Sequence, residues 1–214
     1  MGTLTYLVPP EWELIDPAEP ERRIPAVVSG LLGERTAEQR EVAAPVLVEH
    51  LTAAMRGLGE AGAVAVLLGA YPMLTGMSVP SVVIRPLETP NGQAPIDYLV
   101  GLAAQDASAQ LLEIDHAVGL RTHQVEPVAS TPAKVPEEWT HLMTDAVRAS
   151  VAEASDRVAH RVRYVVGLPS REDSWVELLA SVQVPRGEWG EDMGATCLAM
   201  FDRIASGLTW TGGR

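Results

Sequence analysis

The chain has 214 residues, a formal net charge of −12 and one cysteine. That charge repels phosphate backbones and anionic headgroups, so the expected partners exclude nucleic acid and the membrane surface. The length fits a single domain over residues 1–214 carrying an insertion, with enough core to need no metal or disulfide staple; Cys197 has no mate for an internal bridge.

From the N-terminus, Leu4 to Val8 reads as a short strand broken by Pro9 and Pro10, and Trp12 to Ile15 as a second extended piece. Ile24 to Leu32 carries Val27, Val28, Leu31 and Leu32 at helical spacing, with Gly33 as its stop. Thr36 and Gln39 have the spacing of a capping box, which opens a helix by satisfying its orphan backbone donors. Pro45 lies inside the apolar stripe that follows, so this helix is expected to kink or divide there, and Gly57 and Gly59 to end it. Residues 61–70 and 77–87 are apolar, β-branched runs expected to pair through a turn at 72–76. Pro80 and Pro86 put the second run near a sheet edge or bulge.

Pro95 to Ala104 reads as a helix with proline in its first turn. Leu111 to Ile114 and Ala117 to Val125 are predicted strands, the latter with Gly119, Arg121 and His123 on one face. Residues 127–136 form a linker rich in Pro, Ser and Thr. Beyond it, Trp139, Leu142, Met143 and Val147 make a helical stripe within a helical insertion spanning 129–155. Val158, His160, Val162, Tyr164 and Val166 share one face of the next strand, and the run from Trp175 to Val184 returns as its hairpin mate. The last helix, Trp189 to Leu208, carries Trp189, Met193, Cys197, Met200, Phe201, Ile204 and Leu208 as one stripe. Thr209 and Trp210 follow as an extended tail. Hairpin-linked strands with helices at intervals predict an α+β fold on a mostly antiparallel sheet, with one inserted helix.

Chemistry-bearing motifs are sparse. Gly57, Gly59 and Gly62 match G-x-G-x-x-G, but the helix precedes the glycines and a strand follows, the reverse of a dinucleotide site, so they read as a helix end. None of the five histidines has an i,i+4 partner, while His123 and His160 sit on strands that could become neighbours, with Asp115 or His116 near. Arg121, Arg161 and Arg163 could share one sheet face as a basic patch; ordinary cross-strand pairing with Glu177 is the alternative. No G-x-S-x-G elbow or distinguishable acid–base carboxylate pair occurs, and no cofactor or metal is expected. Cys197 reads as a buried hydrophobe.

The Pro9, Pro10, Glu11, Trp12 opening, the strand from Ser78 to Arg85, the hairpin from Arg161 to Val184 and the closing run from Met200 to Trp210 together resemble the PsbP-like family. That family's fold is shared with the Ran-release factor Mog and small mycobacterial lipoproteins. The resemblance implies a twisted antiparallel sheet sandwiched by helices, no shared active site, and a binding or accessory role. The opening residues lack a signal peptide's basic region and apolar stretch, and Tyr6 breaks the myristoylation pattern. Lys134 is the only lysine among many arginines, a coding bias of GC-rich bacteria such as actinobacteria.

The expected function is therefore a non-catalytic accessory or adaptor protein of the bacterial cytoplasm, linked to a secretion or assembly system. It would bind a protein partner, or form a homo-oligomer, through a sheet edge or the Trp139 and Met143 face. The alternative is a small-ligand binder or enzyme with a pocket between the sheet and the helix from Pro95 to Ala104. In that reading Arg121, His123 and His160 are its polar groups. Arg163 belongs to the candidate basic patch.

Overall fold

The computed structural model describes residues 3–5, 7–33, 35–70, 78–114, 117–128, 157–167 and 175–211. The helix expected at 136–151, with Trp139 and Met143, lies outside the described residues, as do Asp115 and His116. Among the described residues, nine strands and four α-helices follow in the order β1 (Thr3–Thr5), β2 (Trp12–Ile15), α1 (Ile24–Leu32), α2 (Ala37–Glu60), β3 (Ala65–Gly69), β4 (Ser81–Pro86), α3 (Pro95–Gln105), β5 (Gln110–Ile114), β6 (Ala117–Pro127), β7 (Arg157–Gly167), β8 (Trp175–Pro185), α4 (Glu188–Ser206) and β9 (Thr209–Thr211). Seven strands form one open antiparallel sheet in the order β2-β3-β4-β8-β7-β6-β5, and β1 pairs with β9 beside it.

Local chemistry accounts for most boundaries. The Thr36 hydroxyl accepts from the Gln39 backbone N–H, and the Gln39 side chain accepts from the Thr36 N–H, which is the reciprocal cap that starts α2. Pro45 does not divide the helix. The chain stays helical from Ala37 to Glu60, past Gly57 and Gly59, and turns at Gly62, whose φ of 88° suits a residue without a Cβ. Gly33, at φ 47°, closes α1 in the same way.

Pro80 and Pro86 do not mark an edge. β4 lies inside the sheet between β3 and β8. Pro80 precedes the strand and Pro86 is its last residue, so the ladder between them is free of proline and can pair on both sides.

The sheet has helices on both faces, but they cover them differently. One face packs against α4 in the main core, where Leu67, Val82, Ile84, Tyr164, Leu178, Val182, Phe201 and Ile204 are buried. On the other face, α1 and α2 cover β2 and β3 through Ile15, Val27, Val28, Met55, Val66 and Leu68. A separate, smaller group joins Leu99 of α3 to Leu120 and Val165 of β6 and β7. β3, under helices on both sides, is buried at all five positions. The middle strands β4 and β8 lie between the two helix groups of this second face.

α4 meets the sheet along the predicted stripe from Met193 to Leu208, and only Trp189 falls outside it. Trp189 is 48% exposed, and Gly190, Gly194, Cys197, Phe201, Ile204 and Ala205 are buried. A Cβ on Gly190 would fall 1.7 Å from the Pro185 carbonyl oxygen, so the first turn lies against the end of β8 where only glycine fits. Trp189, one residue earlier, is thereby turned outward.

Candidate functional site

Pleating divides the four candidate residues on β6 and β7 between the two sheet faces. The register pairs Arg121 with Tyr164, His123 with Val162 and Val125 with His160. Arg121, His123 and His160 therefore stand with Tyr164 on the α4 face. Arg161 and Arg163 alternate with them and stand on the opposite face. The basic patch of Arg121, Arg161 and Arg163 does not form, because an odd residue of β6 lies opposite an even residue of β7.

On the α4 face, Asp202 gathers two donors. Arg121 Nε donates to its Oδ1 at 2.8 Å, and the Tyr164 hydroxyl donates to the same oxygen at 2.6 Å. Burial, with the Asp202 carboxylate next, holds the Tyr164 hydroxyl pKa far above its ordinary value. This cluster ties α4 to the middle of β6 and β7. Beside it, His123 Nε2 and His160 Nδ1 are 3.2 Å apart, with ring centroids at 5.4 Å and planes tilted by 16°. The centroid separation is close to the nitrogen–nitrogen distance plus two ring radii. The nitrogens thus point at each other along one N–H···N bond, and do not converge on a third point as two ligands of one metal ion do. Gly194 of α4 lies over this pair: a Cβ there would be 2.9 Å from His160 Nε2. Among the described residues, no group of three or more His, Cys, Asp or Glu could hold a metal ion. Cys197 is buried in the same interface, and burial pushes its thiol up to about 11, which keeps it protonated.

Both histidines titrate below the ordinary value of 6.5. Burial is the main cause for each, and His123 is lowered further by Arg121 and then His160, against an opposing pull from Asp202. The native state then binds fewer protons than the unfolded chain just below that value. The pair's contribution to stability is complete above the unfolded-state pKa and is lost as pH falls through the folded-state values. Urea midpoints should fall between about pH 7 and about pH 5, and fall less in a variant carrying His123→Gln and His160→Gln. Equal slopes in the two proteins would show that the pair is not the source.

The opposite face holds the open site. Glu177 of β8 is 2% exposed and lies between two arginines. Arg85 Nε on β4 donates to Oε2 at 2.5 Å, and Arg163 Nε on β7 donates to Oε1. Arg163 Nη2 also donates to the Tyr98 hydroxyl of α3 at 2.9 Å, with its guanidinium carbon 5.5 Å from the Tyr98 ring centre. Burial works against the Arg163 charge, but the Tyr98 hydroxyl and the Glu177 carboxylate outweigh it and raise its pKa. Next to this network, beside α3, is a cleft of about 480 Å³. Its described lining includes Leu102 and Asp106 from α3 and the turn after it, Thr122 and Gln124 from β6, Arg161 and Arg163 from β7, Leu179 and Ser181 from β8, and Val83 from β4.

A cleft between the sheet and α3 is thus present, but Arg121, His123 and His160 do not line it. They face α4, on the other side of the sheet. Among the described residues of the expected set, Arg163 reaches the cleft. No motif in the sequence marks Glu177, Tyr98 or Thr122 as binding residues. The usable signal was the polar alternation of Glu177, Ser181 and Gln183 along β8, which marks a face lacking the apolar stripe of its opposite.

No family model matches the chain, and no curated protein matches it. Among solved structures, the crystal structure of LpqN involved in cell envelope biogenesis of Mycobacterium tuberculosis is similar. It has a TM-score of 0.45 and 10% identity, covering 99% of this chain and 85% of that one. The PsbP-like assignment is not confirmed by this likeness. No helix among the described residues is long and apolar enough to cross a membrane.

Proposed function

We propose that this is a non-catalytic binding protein whose ligand lies in the cleft between the sheet and α3. The observation that carries the reading is the cleft itself. At about 480 Å³ it falls in the range of small-molecule sites, with an apolar floor at Val83, Leu102 and Leu179 and polar groups on its walls. The wall is also fixed in advance, because Arg163 is anchored by Glu177 and Tyr98 before any ligand arrives.

The test is a fluorescence titration with anilinonaphthalene sulfonate, with Ser181→Trp as the blocking variant. Ser181 is exposed on the sheet surface and, among the described residues, its hydroxyl bonds the Ser81 hydroxyl at 3.1 Å, so an indole there fills the cleft without entering the core. Saturable one-site binding that disappears in Ser181→Trp is the expected result. Binding of equal strength in the variant would place the dye elsewhere and end this reading.

A second reading keeps the adaptor expected from the sequence, in the bacterial cytoplasm and linked to a secretion or assembly system, with the β5 sheet edge as the contact for a protein partner or a second copy. It is favoured by Leu111, 78% exposed on the edge strand β5, and Val118, 56% exposed on β6 two residues away across the ladder. Leu111→Lys should abolish any partner contact made through this edge while leaving dye binding in the cleft intact.

A further inference from the structure

We infer that the cleft selects an organic acid: a small molecule with an apolar body and one anionic head, received by Arg161 and Arg163. The inference rests on the reading of the cleft as a ligand site and adds the class of ligand.

The charges around the cleft support an anion. Glu177 is a single buried carboxylate serving two arginines, Arg85 and Arg163, so that network carries a surplus positive charge. Arg163 Nε and Nη2 are engaged by Glu177 and Tyr98, which orients the guanidinium plane and leaves Nη1 outside both bonds. Arg161, two residues along β7 on the same face, pairs with Glu126 at 3.1 Å. Their side chains are 63% and 47% exposed, so water screens the pair and an incoming anion displaces Glu126 at small cost. The acid on the rim, Asp106, keeps its negative charge, while one of its oxygens is engaged by the turn after α3. Its Oδ1 accepts from both the backbone N–H and the hydroxyl of Ser108, and the Ser108 hydroxyl bond, then the backbone bond, holds its pKa below the ordinary value. Arg157, four residues before Arg161 on the same face of β7, is not among the described lining residues of the cleft. In a chain of net charge −12, β7 thus concentrates three arginines on one face.

The floor selects for the body of the ligand. Val83, Leu102 and Leu179 offer carbon, while Thr122 and Gln124 offer hydrogen-bonding groups near the arginines. A simple inorganic anion would leave the apolar floor wet, and an uncharged hydrocarbon would leave the guanidinium groups unused. A molecule with one carboxylate, sulfonate or phosphate on an aromatic or aliphatic body satisfies both.

A matched pair of dyes tests this. Anilinonaphthalene sulfonate and its uncharged parent, phenylnaphthylamine, differ only in the anionic group. The sulfonate should bind roughly tenfold tighter than the parent, as expected for one charge-assisted bond. Arg161→Glu should weaken sulfonate binding roughly tenfold and leave the parent unchanged, with Arg161→Gln intermediate. The urea midpoint of Arg161→Gln should match the wild type, because the Arg161–Glu126 pair is exposed, and that of Arg161→Glu should fall only slightly, through repulsion from Glu126. Equal affinities for the two dyes, or sulfonate binding unaffected by Arg161→Glu, would overturn the inference. If Ser181→Trp still removes the dye in that case, the cleft remains a ligand site and only the preference for acids is lost. If Ser181→Trp removes nothing, the cleft reading fails with it.

Discussion

Glu177→Ala is expected to lower the free energy of unfolding by roughly 3 kcal/mol, the lower end of what breaking a buried charge pair costs. The carboxylate is 2% exposed and makes charge-assisted bonds to Arg85 and Arg163 on the strands to either side. Removing it leaves two guanidinium groups facing each other across the space it occupied. Arg85 is 40% exposed and can rehydrate, whereas Arg163, at 28%, is held under Tyr98, so most of the loss falls on Arg163. Urea denaturation measures the change directly. A loss under about 1 kcal/mol would mean that both arginines reach water freely, which would also remove the argument that Arg163 is oriented in advance. Glu177→Gln should fall between the two proteins, because it keeps the volume and one acceptor oxygen but not the charge.

Phe201→Ala should cost about 4 kcal/mol. The ring is fully buried in the C-terminal half of α4 and meets Trp12 of β2 edge to face, with centroids 6.2 Å apart and planes at 87°. It links the C-terminal helix to an edge strand at the start of the chain. The cavity therefore opens where α4, β2 and the body of the sheet join, and close packing there leaves little room to collapse. Chemical denaturation gives the size of the loss. Near-ultraviolet circular dichroism gives its place, since Trp12 is only 5% exposed and should lose its fixed surroundings. A cost under about 2 kcal/mol, with the near-ultraviolet signal unchanged, would show that α4 resettles onto the sheet.

The sequence alone determined which segments are helices and strands, because those follow from short-range rules. The capping box at Thr36 and Gln39, the alternation along β7 and β8, and the stop at Gly33 each act within a few residues, and each element appears where its pattern lies. Alternation also separated Gly119, Arg121 and His123 from Val118, Leu120 and Thr122 on β6. It could not say which face of β6 matches which face of β7. A register offset of one residue exchanges the faces, and only the observed pairing of Arg121 with Tyr164 put the histidines under α4 and Arg161 and Arg163 on the face that carries α3. Strand order was equally long-range. β4 is interior because β8, almost a hundred residues later, pairs along it, and no local signal in Pro80 or Pro86 could announce that. The cleft was decided at the same level: Arg163 is a polar residue on a strand until β8 brings Glu177 and α3 brings Tyr98 onto it, and α1 and α2 pack over a different pair of strands from α3. Hydrogen bonding and side-chain periodicity are local and can be read along the chain. Register, burial of a charge and the space between two packed helices depend on which distant surfaces meet, and those belong to the tertiary structure.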